Sequence, residues 1–310
     1  YRWSILLAGL ILLALPLRPG SWPVGGVEIN GVRMWVRVRL GDLSVAFQPG
    51  EPARLAVIIF LASYLSERHH SLRVMSRRIG PLHIPEPRQL IPLAVATGTS
   101  AWILIYLRDL GAAALLFAIF LAMIYVATDR IAYPAAGALA LLIGGFAAYV
   151  LFDHVHDRVS AWLHPFADYL GGGFQTAQGL FALGSGSLAG SGLGVGSPNL
   201  IPAAHSDFIF AAVGEELGYF GAVAVLTAFA VLITAAFGIA LRSRNLHRKL
   251  LAAGIASSLC IQVLLIVGGI VRLFPLTGLT LPFVSYGGSS LGASILSIAL
   301  LAAISHEEAW

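Results

Sequence analysis

Eight apolar stretches, at residues 3–17, 52–65, 90–107, 110–127, 131–152, 217–241, 250–271 and 286–304, account for most of this sequence. Stretches of this kind leave few choices of fold. Hydrocarbon offers no water to an unpaired backbone N–H or C=O, so a lipid-exposed segment must be a helix or part of a closed barrel. A span needs about 20 residues, and the two short N-terminal stretches extend into their flanks. The chain is 58 % hydrophobic and 11 % charged, against about 25 % charged in a soluble domain. Its mean hydropathy is +0.84. The expectation is an all-α, polytopic membrane helical bundle of about eight transmembrane helices. It forms one domain over residues 1–310, with a long extracytoplasmic loop at 153–216 that carries short helices. The single cysteine, Cys260, excludes a disulfide and a cysteine-based metal site.

Basic residues orient the spans. Arg68, Arg73, Arg77, Arg78 and Arg88 crowd one loop, and Arg242, Arg244, Arg248 and Lys249 another. If the spans alternate, both loops lie on one side, assigned as cytoplasmic. The loop 153–216 then lies outside, with Arg158 as its only Lys or Arg. The loop 20–50 also falls outside yet carries Arg33, Arg37 and Arg39. Arginines kept there against the charge bias suit an anionic ligand; the plainer reading is an exception to the bias. Arg33, Trp35, Arg37 and Arg39 alternate with period two, which predicts a short extended segment with one polar edge. Glu51 and Arg54 are three apart and can meet on the first turn of a helix, as an ion pair.

The segment 199–218 concentrates the chemistry. Three carboxylates, Asp207, Glu215 and Glu216, stand in otherwise apolar sequence. Ser206 is a good N-cap type. A helix starting there puts Asp207, Ala211 and Glu215 on one face at i, i+4 and i+8: room in the middle, charge at the ends. That face fits a bound polar ligand, or is an ordinary charged helix face at a membrane boundary. Gln175 and Gln178 share another helix face. The Gly-Ser run at 183–196 lacks the preceding strand and the Gly-Lys-Ser/Thr of a nucleotide loop, so its glycines serve close packing and mobility. His154 and His156 would share a side only in extended backbone. The Pro- and Gly-broken stretch 275–290 must line a cavity or be buried in protein.

Taken together, the stretches 31–35, 47–55, 109–111, 175–196, 205–218 and 278–290 resemble, in order, the SEDS proteins (shape, elongation, division and sporulation). This is the RodA/FtsW group of peptidoglycan glycosyltransferases. The resemblance covers essentially the whole chain. It implies ten spanning helices, of which the first two are absent here, so that the first helix corresponds to the family's third. The family's Gln-Pro-Ser-Glu reads Gln48-Pro49-Gly50-Glu51, and the following lysine is Arg54.

The resemblance implies a polymerase of glycan strands. It transfers disaccharide units from lipid II, an undecaprenyl-pyrophosphate-linked precursor, outside the bacterial cytoplasmic membrane in elongation or division. Asp207 corresponds to the essential aspartate. It would take the acceptor hydroxyl's proton or position that hydroxyl, with inversion at the anomeric carbon. Arg54, Arg33 and Arg37 would stabilise pyrophosphate, since guanidinium binds phosphate oxygens bidentately. Glu51, Trp35, Gln178, His205, Ser206, Glu215, Ser285 and Tyr286 complete the expected substrate site. The resemblance also implies a divalent cation, Mg²⁺ or Mn²⁺, on Asp207, and a class B penicillin-binding transpeptidase as partner. Membrane lipid is the surroundings; no nucleotide, haem or nucleic acid is implied.

Two other functions share these features: a transporter that flips the same lipid-linked sugar, and a scaffold without catalysis. A flippase should carry polar groups along a path reaching both faces, whereas the unusual acids here gather outside. One electrostatic question stays open at this point. A helix N-terminus lowers the pKa of Asp207 and desolvation raises it.

Overall fold

A computed structural model describes residues 1–29, 32–40, 43–74, 76–79, 82–85 and 87–308, and of residues 29, 32, 40, 43, 71–74, 76–79, 82–85 and 87–90 the backbone alone. Asn30, and Gly31 of the family-like stretch at 31–35, lie outside the described residues, as do the side chains of Arg73, Arg77, Arg78 and Arg88.

The eight apolar stretches all fall on helices: α1 (Arg2–Ala14), α2 (Gly50–Val74), α3 (Pro87–Tyr106), α4 (Leu110–Thr128), α5 (Ala132–Leu151), α8 (Ile209–Arg242), α9 (Leu246–Ile270) and α10 (Gly288–Glu308). Two further helices, α6 (Asp153–Leu163) and α7 (Phe174–Ser185), occupy the long loop. Among the described residues five helices, α4, α5, α8, α9 and α10, are long and apolar enough to cross a membrane. The count falls short of eight for local reasons. The apolar parts of α1 and α3 are short, and α2 ends in the polar run Ser66-Glu67-Arg68-His69-His70.

The chain forms two compact units. The first comprises Tyr1–Gly137, Ala235–Ser258 and Gly288–Trp310. Its centre is α2, which packs on α1, α3, α4 and α10. Val57, Phe60, Leu61 and Leu65 of α2 are fully buried. Trp3 tilts onto Phe60 with ring centroids 5.1 Å apart. Gly254 of α9 lets that helix approach Ile58 and Met123, where a Cβ would press on both side chains. Ahead of α2 lies an antiparallel sheet in the order β1 (Val24–Ile29), β2 (Val32–Leu40), β3 (Leu43–Phe47). Val36 of β2 is completely buried, so the opposite face carries Arg33, Trp35, Arg37 and Arg39, as period two requires. A hairpin of β4 (Ser76–Ile79) and β5 (Leu82–Pro85) follows α2. The sheet departs from a purely helical expectation and belongs to the stretch that alternates in sequence.

The second unit comprises Ala138–Thr234 and Leu259–Gly287. Here α8 is broken at Gly218, whose φ of 66° and ψ of −166° are open to glycine alone. The break receives the Gly-Ser run. Tyr219 N–H donates to Ser187 O at 3.0 Å, Phe220 N–H to Leu188 O at 3.2 Å, Ser191 N–H to Glu215 O at 2.9 Å and Gly192 N–H to Glu216 O at 3.0 Å. The carbonyls and amides freed by the kink thus find partners in the loop. A Cβ on Gly218 would collide with the backbone of Gly190 and Leu188.

Gly218→Ala should therefore lower the thermal midpoint of the detergent-solubilised protein, by an amount corresponding to at least about 1–3 kcal/mol. Gly238→Ala, in the same helix where a Cβ meets nothing within 4 Å, should leave it level or raise it. Equal behaviour of the two variants in a melting experiment would contradict the role given to Gly218.

Candidate functional site

Asp207 stands just outside a helix. Residues 202–208 form consecutive turns and the helix starts at Ile209. Ala203 is left-handed, with φ 55°. Its carbonyl accepts from Ser206 N–H at 3.1 Å, Asp207 N–H at 3.1 Å and, more weakly, Phe208 N–H at 3.4 Å. The expected face of Asp207, Ala211 and Glu215 is accordingly not formed, because Asp207 precedes the first helical turn. Nor is Ser206 an N-cap: its hydroxyl turns back to Ala203 O at 3.2 Å. Competition of this kind by Ser hydroxyls is common in turns.

The turn is pinned from the other side by the broken stretch after α9. Ser285 donates its hydroxyl to Ser206 O at 2.6 Å and accepts from Leu281 N–H at 2.7 Å. Tyr286 N–H donates to His205 O at 2.8 Å, and the two rings meet edge to face at 5.8 Å. Gln262, fully buried on α9, donates to Thr280 O at 2.8 Å. So His205, Ser206, Ser285 and Tyr286, all expected at the site, meet one another at the Asp207 turn, and none of the four is among the walls of the cavity beside the acid. Their contacts hold the turn by backbone and hydroxyl bonds.

A cavity of about 190 Å³ opens beside the acid. Its walls include Asp207, Asp157 and Arg158 from α6, Gln175 and Thr176 from the start of α7, and Gly278. Gly278 has φ 69°, and a Cβ there would sit 3.7 Å from Asp207 Oδ2. Gln175 Nε2 donates to Pro202 O at 2.9 Å, tying α7 to the Asp207 turn. The position of α6 is set by a reciprocal clasp. Trp162 Nε1–H donates to Arg272 O at 2.9 Å, while Arg272 donates from Nε to Trp162 O at 3.0 Å and from Nη2 to Trp162 O at 2.8 Å and Leu163 O at 3.0 Å. The guanidinium thereby satisfies the last carbonyls of α6.

Burial pushes the Asp207 carboxyl above its ordinary value of 3.8. The Ser206 hydroxyl, Arg158 and His205 pull the other way and do not overcome it. Desolvation wins the contest left open by the sequence, and the acid binds its proton more tightly than a free aspartate.

Several expected residues have other employment. Gln178 donates from Nε2 to the Tyr169 hydroxyl at 2.8 Å and is not among the cavity walls, whereas Gln175 is. Glu215 is buried and accepts from Ser197 N–H at 2.9 Å, which anchors the end of the Gly-Ser run. Glu51 and Arg54 lie in the first unit and form a 2.6 Å ion pair, with Glu51 buried. Arg33 and Trp35 also belong to the first unit, on one face of β2, and Arg33 is exposed. His154 and His156 are on α6, so their spacing directs them to different faces. Among the described residues no group of three or more His, Cys, Asp or Glu side chains could hold a metal ion. The carboxylates at the cavity are two, Asp157 and Asp207. Arg158 and Gln175 are the additions to the site. Arg158 had one sequence signal, as the only Lys or Arg of its loop.

The fold and site define a polytopic membrane protein with a partly desolvated acid in an open cavity before a membrane helix. The chain belongs to the FtsW/RodA/SpoVE family: a family model described as "cell cycle protein" matches residues 1–309. It is 41 % identical over 306 residues to the peptidoglycan glycosyltransferase RodA of Mycobacterium tuberculosis (strain H37Rv), covering 99 % of this chain and 64 % of that protein. It is 37 % identical over 309 residues to stage V sporulation protein E of Bacillus subtilis, covering 98 % and 79 %. A solved structure titled for the coordination of polymerization and crosslinking by a peptidoglycan synthase complex superposes with TM-score 0.76 at 29 % identity, covering 99 % of this chain and 81 % of that one. The rod shape determining protein RodA of Thermus thermophilus superposes with TM-score 0.63 at 28 % identity, covering 99 % and 78 %. The chain thus spans about two thirds, 64 %, of the length of the mycobacterial relative.

A raised carboxyl pKa has a stability consequence. The folded state binds the proton more tightly than the unfolded state, so stability falls as pH rises from the ordinary carboxylate value through the raised one. Asp207→Asn should melt higher than wild type at pH 7, with the difference shrinking toward pH 4. A variant that melts lower at pH 7 and equally at both pH values would refute the burial cost assigned to Asp207.

Proposed function

We propose that this protein polymerises glycan strands from lipid II, with Asp207 as the base. The observation that carries this reading is the partly desolvated Asp207 carboxyl facing a cavity while its proton affinity is raised. An aspartate of ordinary acidity is a weak base near neutrality; a raised one is better matched to take a proton there. The acceptor sugar's hydroxyl oxygen attacks the anomeric carbon of the donor. Its proton passes to Asp207, the bond from the anomeric carbon to the diphosphate oxygen breaks, and the polyprenyl diphosphate leaves with its electron pair. Attack opposite the leaving group inverts the anomeric centre. At about 190 Å³ the cavity is smaller than the roughly 300–1,000 Å³ of sites that enclose a drug-sized ligand. It accommodates the reacting end of the substrate, with the remainder outside.

The family membership and the relatives named above support this reading. So does the grouping of His205, Ser206, Ser285 and Tyr286 at Asp207. In the proposed arrangement the site faces the exterior of a bacterial cytoplasmic membrane, since α6 and α7 carry few basic residues. A class B penicillin-binding transpeptidase would crosslink the product as partner. A divalent cation, Mg²⁺ or Mn²⁺, fits the donor set on one condition. Two carboxylates, Asp157 and Asp207, bind such an ion only with water and diphosphate oxygens completing its shell. When bound it would neutralise charge on the leaving diphosphate.

Purified protein with its partner and fluorescent lipid II tests the reading. Wild type should form glycan chains, and Asp207→Ala should lose about 10²–10⁴-fold in rate. Unchanged chain formation by Asp207→Ala would remove Asp207 from catalysis. Lipid II moved across a vesicle bilayer without chain formation would make the protein a flippase. The acid limb of the pH–rate profile should lie above 3.8, the ordinary carboxylate value. EDTA followed by Mg²⁺ should abolish and restore activity if the cation takes part.

A further inference from the structure

We propose that Arg158 is the diphosphate-binding group of the Asp207 cavity, a role that rests on the donor chemistry proposed above. Three observations on the second unit lead to it.

First, Arg158 lines the same cavity as Asp207 and is near enough to pull its pKa down, yet among the described residues no ion pair joins the two. Its neighbour Asp157 also lines the cavity without forming an ion pair with it. An arginine half-buried beside two carboxylates and paired with neither is a charge held in reserve. Guanidinium presents planar, paired donors that match phosphate oxygens.

Second, the other arginine of this region already has partners. Arg272 spends its Nε and Nη2 on Trp162 and Leu163 carbonyls. That clasp fixes the C-terminal end of α6, the helix that presents Arg158. The reserve charge is thus mounted on a held element.

Third, the rest of the cavity wall supplies polar groups and no further acid. Thr176 and Thr277 line it, together with the first turn of α7, which has no acidic residue. The bond-breaking step then has two ends in one cavity. Asp207 serves the incoming hydroxyl, and Arg158 the departing diphosphate. By the same measure the charge of Arg54 is already neutralised by Glu51 at 2.6 Å, so Arg54 makes a weaker claim on the diphosphate.

The test separates this assignment from the polymerase reading by measuring binding in the full chain, reconstituted in nanodiscs, with farnesyl diphosphate as probe. The background is Asp207→Asn, which removes chemistry and leaves Arg158 in place. Farnesyl diphosphate should bind more tightly than farnesyl monophosphate. Arg158→Ala should weaken it about ten- to a hundredfold, with Arg158→Lys between. Arg158→Gln, of closer shape, should match Arg158→Ala and melt near wild type. Equal affinity in Arg158→Gln and its parent would overturn the assignment, as would a wild type that does not prefer diphosphate. Nanodiscs with and without phosphatidylglycerol distinguish the sources. Competition by that lipid as strong as by farnesyl diphosphate would reassign Arg158 to a lipid headgroup and overturn the proposal. Loss of diphosphate binding on Arg158→Gln in a protein that makes no glycan would uphold the anion site while the polymerase reading fails. Glycan synthesis with an unchanged KM for lipid II in Arg158→Gln would do the reverse.

Discussion

Backbone that leaves the helix beside a bilayer must find its hydrogen-bond partners within the protein, and the second unit is arranged to meet that demand. Irregular stretches occur there at 164–173, at 186–208, at the Gly218 break and at 271–287, and the last three are joined by hydrogen bonds. They satisfy one another. The Gly-Ser run accepts and donates around the break, and the 281–286 stretch bonds to residues 205–206. Buried Gln262 takes up Thr280 O. Each orphaned amide or carbonyl left bare in an apolar setting would cost several kcal/mol. The irregular segments are therefore mutually dependent, and Asp207 sits on one of them.

That dependence explains how a carboxyl can be held in an unfavourable place. A helix N-cap would have supplied amides to the carboxylate and kept it acidic. The turn at 202–208 gives it no such cap: among the described residues no backbone amide is seen to donate to the Asp207 carboxyl, and the Ser206, Asp207 and Phe208 amides go to Ala203 O. The charged form is left with the Ser206 hydroxyl and two neighbouring bases as compensation, and burial outweighs these. A helix beginning one turn earlier would give a more acidic aspartate. The left-handed Ala203 and the Ser285 clamp hold the chain in the other arrangement.

The helices were legible because each hydrophobic run, short or long, is nearly uncharged, a signal that tertiary packing does not override. The extended segment was legible too, since Arg33, Trp35, Arg37 and Arg39 alternate and Val36 between them is buried. The start of α8 was not. Ser206 is as good a turn residue as a cap residue, and the choice was made by Ser285, 79 residues away. Gln175 and Gln178 lie three apart on one helix, so spacing could not say which would reach the cavity; Tyr169, outside that helix, took Gln178. Glu215 read as a site acid because sequence shows a charge in apolar surroundings and not the Ser197 amide it holds.

The arginines divide by whether their charge is already answered. Arg54 meets Glu51 within a single helical turn, a pairing available to any chain with this spacing and complete before a ligand arrives. Replacing a lysine ammonium by guanidinium favours that outcome, because a planar fork can hold a carboxylate with two donors where an ammonium offers one point charge. Arg272 is answered by carbonyls. Arg158 forms neither an ion pair nor a hydrogen bond among the described residues and has only the longer-range attraction of Asp207. A half-buried cation so placed gives up hydration for little direct contact, which is an energetic cost. A ligand bearing phosphate oxygens would remove that cost on binding, which is the ground on which the diphosphate role of Arg158 is proposed.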